Sequence, residues 1–119
     1  MRSHESAEDY LEAILVIGRK RGAVRSVDVA GELGFSKPSV SVAMKKLRDG
    51  GAVEVDADGF ITLTPEGLKL AERVYERHTS LTRWLSDLGV DPVVAAEDAC
   101  RIEHVISDES FAAIKKLMT

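Results

Sequence analysis

The sequence predicts a mostly α-helical protein with one small β-hairpin. Apolar residues recur at helical spacing through most of the 119 residues. Two short alternating runs, 52–56 and 60–63, flank an Asp-Gly pair, which is typical of a hairpin. Glycine and proline separate the periodic segments into three helices, the hairpin, a long helix and two more helices. This order is typical of a winged helix-turn-helix with a helical appendage.

The first three helices are predicted over 7–21, 27–33 and 37–49, each ended by glycine. Their apolar faces carry residues such as Leu11, Val29 and Val40. Each helix follows a serine whose hydroxyl could accept a backbone amide hydrogen bond. The predicted N-caps are Ser6, Ser26 and Ser36.

The long helix is predicted to begin at Thr64-Pro65, a threonine N-cap followed by proline, and to end at Gly89. A fifth helix begins at Asp91-Pro92 and a last one at Ser107. The apolar stripes expected in the long and fifth helices are Leu70, Ala71, Val74, His78, Leu81, Leu85 and Leu88, then Ala95, Ala99, Ile102 and Ile106. The last helix contains the apolar residues Phe111, Ile114 and Leu117. About fifty residues are too few to bury a core alone. These residues need either the first domain or a second copy of themselves. We predict a winged helix-turn-helix domain over 1–72 that binds DNA and a helical domain over 73–119 for dimerisation and metal binding.

Composition is that of an ordinary globular protein, with 45% apolar and 30% charged residues. The sequence has no apolar run long enough to span a membrane and no signal-peptide pattern. Its single cysteine cannot form an internal disulfide, which fits a reducing cytoplasm. The net charge of −4 argues against a nucleic-acid partner, but local charge matters more than the sum.

Residues 26–49 read as helix, glycine turn, helix, the arrangement that sets its second helix in the DNA major groove. The segment 37–48 contains four cations and no acid. We expect contacts with double-stranded DNA from Ser36, Lys37, Pro38, Ser39, Ser41, Val42, Lys45 and Lys46. The hairpin 52–63 would be an acidic wing that does not insert deeply. The alternative is a helical protein with a solvated lysine run.

Cys100, Glu103 and His104 stand at i, i+3 and i+4, so one helix face would carry all three. A thiolate, a carboxylate and an imidazole are good ligands for a first-row transition metal. Chance spacing is the alternative. Asp9 and Glu12 also share a helix face, where the alternative is a surface pair.

These residues lie in a chain that resembles the iron- and manganese-dependent repressors related to diphtheria toxin repressor and the manganese transport regulators. The resemblance runs from Ser6 to about Leu117 and is strongest over 97–109. The segments 63–67 and Arg77-His78 also match. It implies a homodimer that binds a palindromic operator when loaded with metal. It also implies a ligand set of Asp9, Cys100, Glu103 and His104, with Glu12 and His78 belonging to a second set.

The sequence combines features of both branches of this family. The iron branch has methionine where Asp9 stands, and the manganese branch has glutamate where Cys100 stands. His78 matches the ancillary site of the iron branch, but Thr82 and Ala96 at its other positions are not usual ligands. That ancillary site is therefore expected to be absent. The chain stops before the third domain of longer members.

The sequence thus predicts a cytoplasmic repressor of metal-uptake genes that Mn(II) or Fe(II) activates. Metal would join the first helix, through Asp9, to the fifth helix and shift the population toward the DNA-competent dimer. A redox switch built on Cys100 is the main rival. An enzyme using Cys100 and His104 as nucleophile and base is a third reading, and no orienting residue or oxyanion feature favours it.

Overall fold

The computed structural model describes the backbone of residues 3–118 and the side chains of residues 7–118. Within these residues the chain forms six helices and one two-stranded antiparallel sheet. The elements are α1 (Ser3–Arg21), α2 (Ser26–Leu33), α3 (Lys37–Asp49), β1 (Val53–Val55), β2 (Ile61–Leu63), α4 (Pro65–Asp87), α5 (Pro92–Ile102) and α6 (Asp108–Lys115). The predicted winged-helix architecture with further helices is confirmed.

The chain divides into two compact units, Met1–Glu72 and Arg73–Thr119, with the boundary inside α4. In the first unit α1 packs against α2, α3 and β2, and α3 packs against β1. The side chains at the centre of this unit are apolar and fully or almost fully buried: Leu11, Val29, Val40, Val53 and Ala71. This packing leaves the opposite face of α3 in solvent.

The hairpin follows α3 directly. Val53 lies opposite Leu63 and Val55 opposite Ile61. The carboxylate of Asp56 accepts hydrogen bonds from the amides of Asp58 and Phe60, both at 2.9 Å, and so closes the turn. The hairpin prediction is therefore confirmed.

Thr64 fixes the start of α4. Its hydroxyl donates to the Gly51 carbonyl at 2.6 Å and accepts from the amide of Gly67 at 3.1 Å. The Thr64 amide donates to the Ala52 carbonyl at 3.0 Å. A single threonine thus caps α4 and ties it to the turn after α3, as the Thr-Pro pair predicts.

In the second unit the core consists of Leu81, Ala99 and Phe111, one residue from each of α4, α5 and α6. Four partly buried apolar side chains pack against this core: Trp84, Ile102, Ile106 and Met118. Asp91 and Ser107 cap α5 and α6, since each side chain accepts amide hydrogen bonds of the following turn. The sequence predicts both helix starts.

Two predicted helix starts are wrong by a few residues. Helix α1 begins at Ser3, so Ser6 lies inside it, because no glycine or proline interrupts the preceding turn. The N-cap of α2 is Arg25 rather than Ser26. The carboxylate of Asp28 accepts a hydrogen bond from the Arg25 amide at 2.9 Å, which moves the cap one residue earlier.

Three leucines at the predicted apolar positions are exposed: Leu70, Leu88 and Leu117. Leu88 and Leu117 lie beyond the last residues of α4 and α6, so the helical period no longer positions them. Leu70 lies at the edge of a face whose buried members are Ala71 and Val74. The remaining residues at the predicted apolar positions of α4 to α6 are buried or half-buried.

Candidate metal centre and nucleic-acid surface

Helix α3 has one buried face and one exposed face. Val40, Met44 and Leu47 point into the first unit and are buried. All eight residues predicted to contact DNA are exposed: Ser36, Lys37, Pro38, Ser39, Ser41, Val42, Lys45 and Lys46. All eight therefore lie on the side of the first unit that faces solvent.

The N-terminal turn of α3 is fixed by its own cap. The hydroxyl of Ser36 accepts from the Ser39 amide at 3.3 Å and donates to the Ser39 hydroxyl at 2.9 Å. Val42, with 57% of its surface exposed, lies among these polar groups. An exposed apolar side chain beside hydroxyls and lysines can contact a thymine methyl in the major groove.

Arg25 is a cation near this surface that the sequence analysis did not select. Its guanidinium carbon lies 4.3 Å from the centroid of the Phe60 ring, so it stacks on the wing as a cation–π contact. The wing itself carries the exposed acids Glu54, Asp56 and Asp58. The sequence around Arg25 did not indicate this contact, since it depends on the folded hairpin that carries Phe60.

In the second unit, α5 ends at Ile102, whereas the periodicity predicts a helix that continues to Ile106. Glu103 is the C-cap residue, and His104 lies in the following turn. Only Cys100 of the three predicted ligands lies within the helix itself, so the prediction that all three share one helix face stays a prediction. Cys100 is exposed, whereas the Glu103 side chain is completely buried.

The Glu103 carboxylate lies between two imidazoles. One oxygen is 3.5 Å from Nδ1 of His78, and the other is 3.7 Å from Nε2 of His104. Neither oxygen accepts a hydrogen bond from any residue that the structure describes. A buried carboxylate without hydrogen-bond donors is strongly unfavourable unless a cation approaches it.

A sulfur donor lies close to this group. The Sγ atom of Cys100 and a ring nitrogen of His104 lie within 4.8 Å of each other. The second unit thus brings a thiol, a carboxylate and two imidazoles together on α4, α5 and the turn after α5. This combination of S, N and O donors suits a divalent transition metal.

Asp9 and Glu12 lie one turn apart on α1 and are both half-buried. Between them, Tyr10 is 6% exposed and its ring meets the edge of Phe35 at a centroid distance of 5.8 Å. Burial raises the pKa of the Tyr10 phenol, and the negative charge of Asp9 raises it further. The Asp9 carboxylate therefore acts electrostatically on its own helix.

At the remaining positions of the iron-type ancillary site, the Thr82 hydroxyl donates to the His78 carbonyl at 2.7 Å, and Ala96 carries no ligand atom. The expected absence of that ancillary site stays a prediction. Among the described residues, no helix has both the length and the apolar character needed to cross a bilayer.

Arg77 is the residue of this region that sequence reasoning missed. Its guanidinium is 4% exposed and reaches the turn that follows α5. An arginine is rarely buried unless it is paired, so its residue type did not indicate a buried position. The only sequence signal was its place beside His78 in the segment that resembles the family.

Two family models match the chain. Residues 3–59 match the family model of the iron-dependent repressor N-terminal DNA-binding domain. Residues 64–119 match that of the iron-dependent repressor metal-binding and dimerisation domain. The transcriptional regulator MntR of Escherichia coli is 39% identical over 111 residues, which cover 93% of this chain and 72% of that protein. An uncharacterised HTH-type transcriptional regulator of Methanocaldococcus jannaschii is 34% identical over 96% of this chain and 93% of its own length.

Solved structures agree with this assignment. A manganese-dependent transcriptional repressor in complex with manganese aligns with a TM-score of 0.86 at 29% identity, over 94% of this chain and 52% of that one. The IdeR protein of T. acidophilum aligns with a TM-score of 0.81 at 26% identity, over 94% of this chain and 54% of that one. This chain therefore spans about half the length of each of these two structures. These likenesses give no support to the redox-switch alternative. The chain belongs to the iron-dependent repressor family of metal-dependent, DNA-binding transcriptional regulators.

Proposed function

We propose that this chain is a transcriptional repressor of metal-uptake genes that Mn(II) or Fe(II) activates. The observation that carries the proposal is the Glu103 carboxylate, buried between His78 and His104 with no hydrogen-bond donor among the described residues. A bound divalent cation supplies the positive charge that such a carboxylate needs. Metal ligation thus explains a burial that would otherwise destabilise the second unit.

The proposed ligand set is Asp9, Cys100, Glu103 and His104, with Glu12 and His78 contributing to a second, weaker site. The short distance between Cys100 and His104 and the imidazoles around Glu103 support the part of this set that lies in the second unit. The contribution of Asp9 and Glu12 rests on their match to the family pattern. Asp9 supplies an oxygen donor that fits Mn(II), and Cys100 a sulfur donor that fits softer ions.

We assign DNA binding to residues 1–72 and metal binding and dimerisation to residues 73–119. The exposed face of α3, with Lys37, Lys45 and Lys46, supports the first assignment, because these cations can approach phosphates. Metal binding shifts the population toward the DNA-competent state only if that state binds the metal more tightly than the other state does. We also propose that the protein acts in the cytoplasm, where its DNA partner lies, and we assign no catalytic step to Cys100 or His104.

We assign a homodimer to residues of about 90–117. Val93, Val94, Val105 and Leu117 are large apolar residues in this stretch that are 45–74% exposed in the single chain. Apolar surface of this kind favours association. Sedimentation of the metal-loaded protein at micromolar concentration should give a dimer, and a monodisperse monomer would contradict this part of the proposal.

One experiment tests the central proposal. Binding to operator DNA selected from random duplexes is measured while Mn(II), Fe(II), Co(II) or Zn(II) is titrated under reducing conditions. We expect operator affinity to rise with metal and to fall when a chelator is added. If no metal changed the operator affinity but peroxide did, metal activation would be refuted and a thiol switch would be favoured instead.

A further inference from the structure

We propose that Arg77 is a positioning residue for the metal site: it fixes the backbone that carries Glu103 and His104 before metal arrives. The proposal rests on the metal-binding function proposed above. Arg77 Nη1 donates to the Glu103 carbonyl at 3.0 Å and to the Ile106 carbonyl at 2.7 Å. Both carbonyls belong to the turn after α5, and His104 lies between them.

The end of α5 explains why an arginine is needed there. The last carbonyls of a helix have no partner within the helix and carry its negative dipole end. A guanidinium presents several donors in one plane, so one arginine side chain can donate to two carbonyls. Its positive charge also offsets the negative end of the helix dipole. Glu103 is the C-cap of α5, and its amide still bonds to the Ala99 carbonyl at 2.9 Å. Arg77 therefore holds the helix end at the point where the ligand-bearing turn begins.

The arginine is itself fixed. Its Nη2 donates to the carboxylate of Asp108, in the first turn of α6. Its guanidinium carbon lies 5.5 Å from the centroid of the Phe111 ring. A buried, paired and stacked guanidinium has little freedom, so it transmits the position of α4 to the turn.

Arg77 and His78 are neighbours on α4, and both reach Glu103. Arg77 holds the main-chain carbonyl of Glu103, and His78 Nδ1 faces its carboxylate at 3.5 Å. Arg77 therefore fixes the main chain of the residue whose carboxylate lies beside His78. Groups that orient a metal ligand typically contribute tenfold to hundredfold to metal affinity.

The chain offers a matched control for this role. Arg73 lies one turn earlier on α4 and also pairs with Asp108, at 3.4 Å. No hydrogen bond joins Arg73 to the turn after α5 among the described residues. Arg73→Met thus removes a cation and an ion pair to Asp108 but leaves the carbonyls of Glu103 and Ile106 satisfied.

The test compares wild type, Arg77→Met, Arg77→Lys and Arg73→Met without DNA. Three quantities are measured: Co(II) and Mn(II) affinity by calorimetry, the absorption spectrum of the Co(II)-loaded protein, and amide hydrogen exchange at 103–107 in the metal-free protein. We expect Arg77→Met to weaken metal binding about tenfold to hundredfold, to alter the Co(II) spectrum and to speed exchange in the turn. Arg77→Lys should recover part of the affinity, because an ammonium cannot span two carbonyls and a carboxylate. Arg73→Met should match wild type.

Wild-type metal affinity, Co(II) spectrum and exchange in a folded Arg77→Met protein would overturn the proposal. If Arg77→Met does not fold, Arg77→Lys decides on the same three measurements, and wild-type values there would overturn it. A loss of affinity in Arg73→Met as large as that in Arg77→Met would also overturn it. If wild type itself binds no divalent metal, the proposed function fails instead, and exchange in the turn still decides whether Arg77 fixes it.

Discussion

Gly67 lies so close to Ala52 that a Cβ atom at position 67 would stand 1.9 Å from the Ala52 carbonyl oxygen. The obstacle is backbone, and the same carbonyl accepts the Thr64 amide, so it cannot easily move. Glycine is therefore required where α4 passes the turn after α3. Another helical glycine, Gly31 in α2, has open space around its missing Cβ.

Gly67→Ala should lower the free energy of unfolding by about 1–3 kcal/mol, because the added methyl forces the backbone apart. Gly31→Ala is the control and should raise it by about 0.5–1 kcal/mol, since alanine loses less entropy in a helix. Urea unfolding of both variants checks the pair. Equal changes in the free energy of unfolding in the two variants would mean that the contact with Ala52 does not constrain position 67.

Lys45→Ala and Lys46→Ala should each weaken binding to all DNA sequences about equally. Each lost phosphate contact lowers the slope of log affinity against log salt by about one unit. Lys69→Ala, an exposed lysine on α4, is the control and should leave the slope unchanged. An unchanged slope for Lys45→Ala would show that this side chain points away from the duplex.

Ser41→Glu should abolish operator binding without loss of the fold, because a carboxylate on the exposed face of α3 repels phosphate. Ser39→Glu should do the same, although Ser39 also contacts the Ser36 cap. Lys69→Glu makes a larger charge change elsewhere in the first unit and should retain binding. Circular dichroism checks the fold, and normal operator affinity in Ser41→Glu would mean that α3 is not the reading helix.

Cys100→Ala should weaken activation by every metal, and Cys100→Glu should shift the preference toward Mn(II), which favours oxygen ligands. Asp9→Met should shift it toward Fe(II). Metal-dependent operator affinity is the measurement, repeated at rising pH, where a thiol ligand that must lose its proton binds more tightly. Asp98→Ala, an acid on the same helix as Cys100, is the control. Full activation of Cys100→Ala by all metals would remove Cys100 from the ligand set.

Tyr10→Phe should make the protein less sensitive to alkali. Because the folded state raises the pKa of Tyr10, the phenol ionises first in the unfolded chain. Above about pH 10 the unfolded state then binds fewer protons, so stability falls until the pH passes the folded pKa. Urea unfolding near neutral and alkaline pH should show a smaller loss in Tyr10→Phe, with Tyr75→Phe as control. An equal loss in wild type and Tyr10→Phe would contradict the expectation.

Local chemistry made much of the fold predictable. Asp91 and Ser107 cap their helices through side chains that accept amides two or three residues ahead, so sequence spacing alone identifies them. The end of α5 was not predictable in this way. The helical period continues to Ile106. However, Arg77 donates hydrogen bonds to the carbonyls of Glu103 and Ile106, which lie 26 and 29 residues away in the sequence.

The candidate site divides in the same manner. The residue types at positions 100, 103 and 104 indicated metal chemistry, but their spacing did not indicate that α5 ends at Ile102, before two of the three. The Glu103 side chain is fully buried, which no local pattern of the sequence indicates. Sequence could therefore propose the donors but not their exposure.

The cations of residues 37–48 belong to a chain whose net charge is −4. A duplex is attracted where α3 faces it and repelled by the acidic surface elsewhere, so charge selects the orientation of each encounter. We expect this steering to favour encounters in which α3 faces the duplex, and to weaken as salt screens the charges.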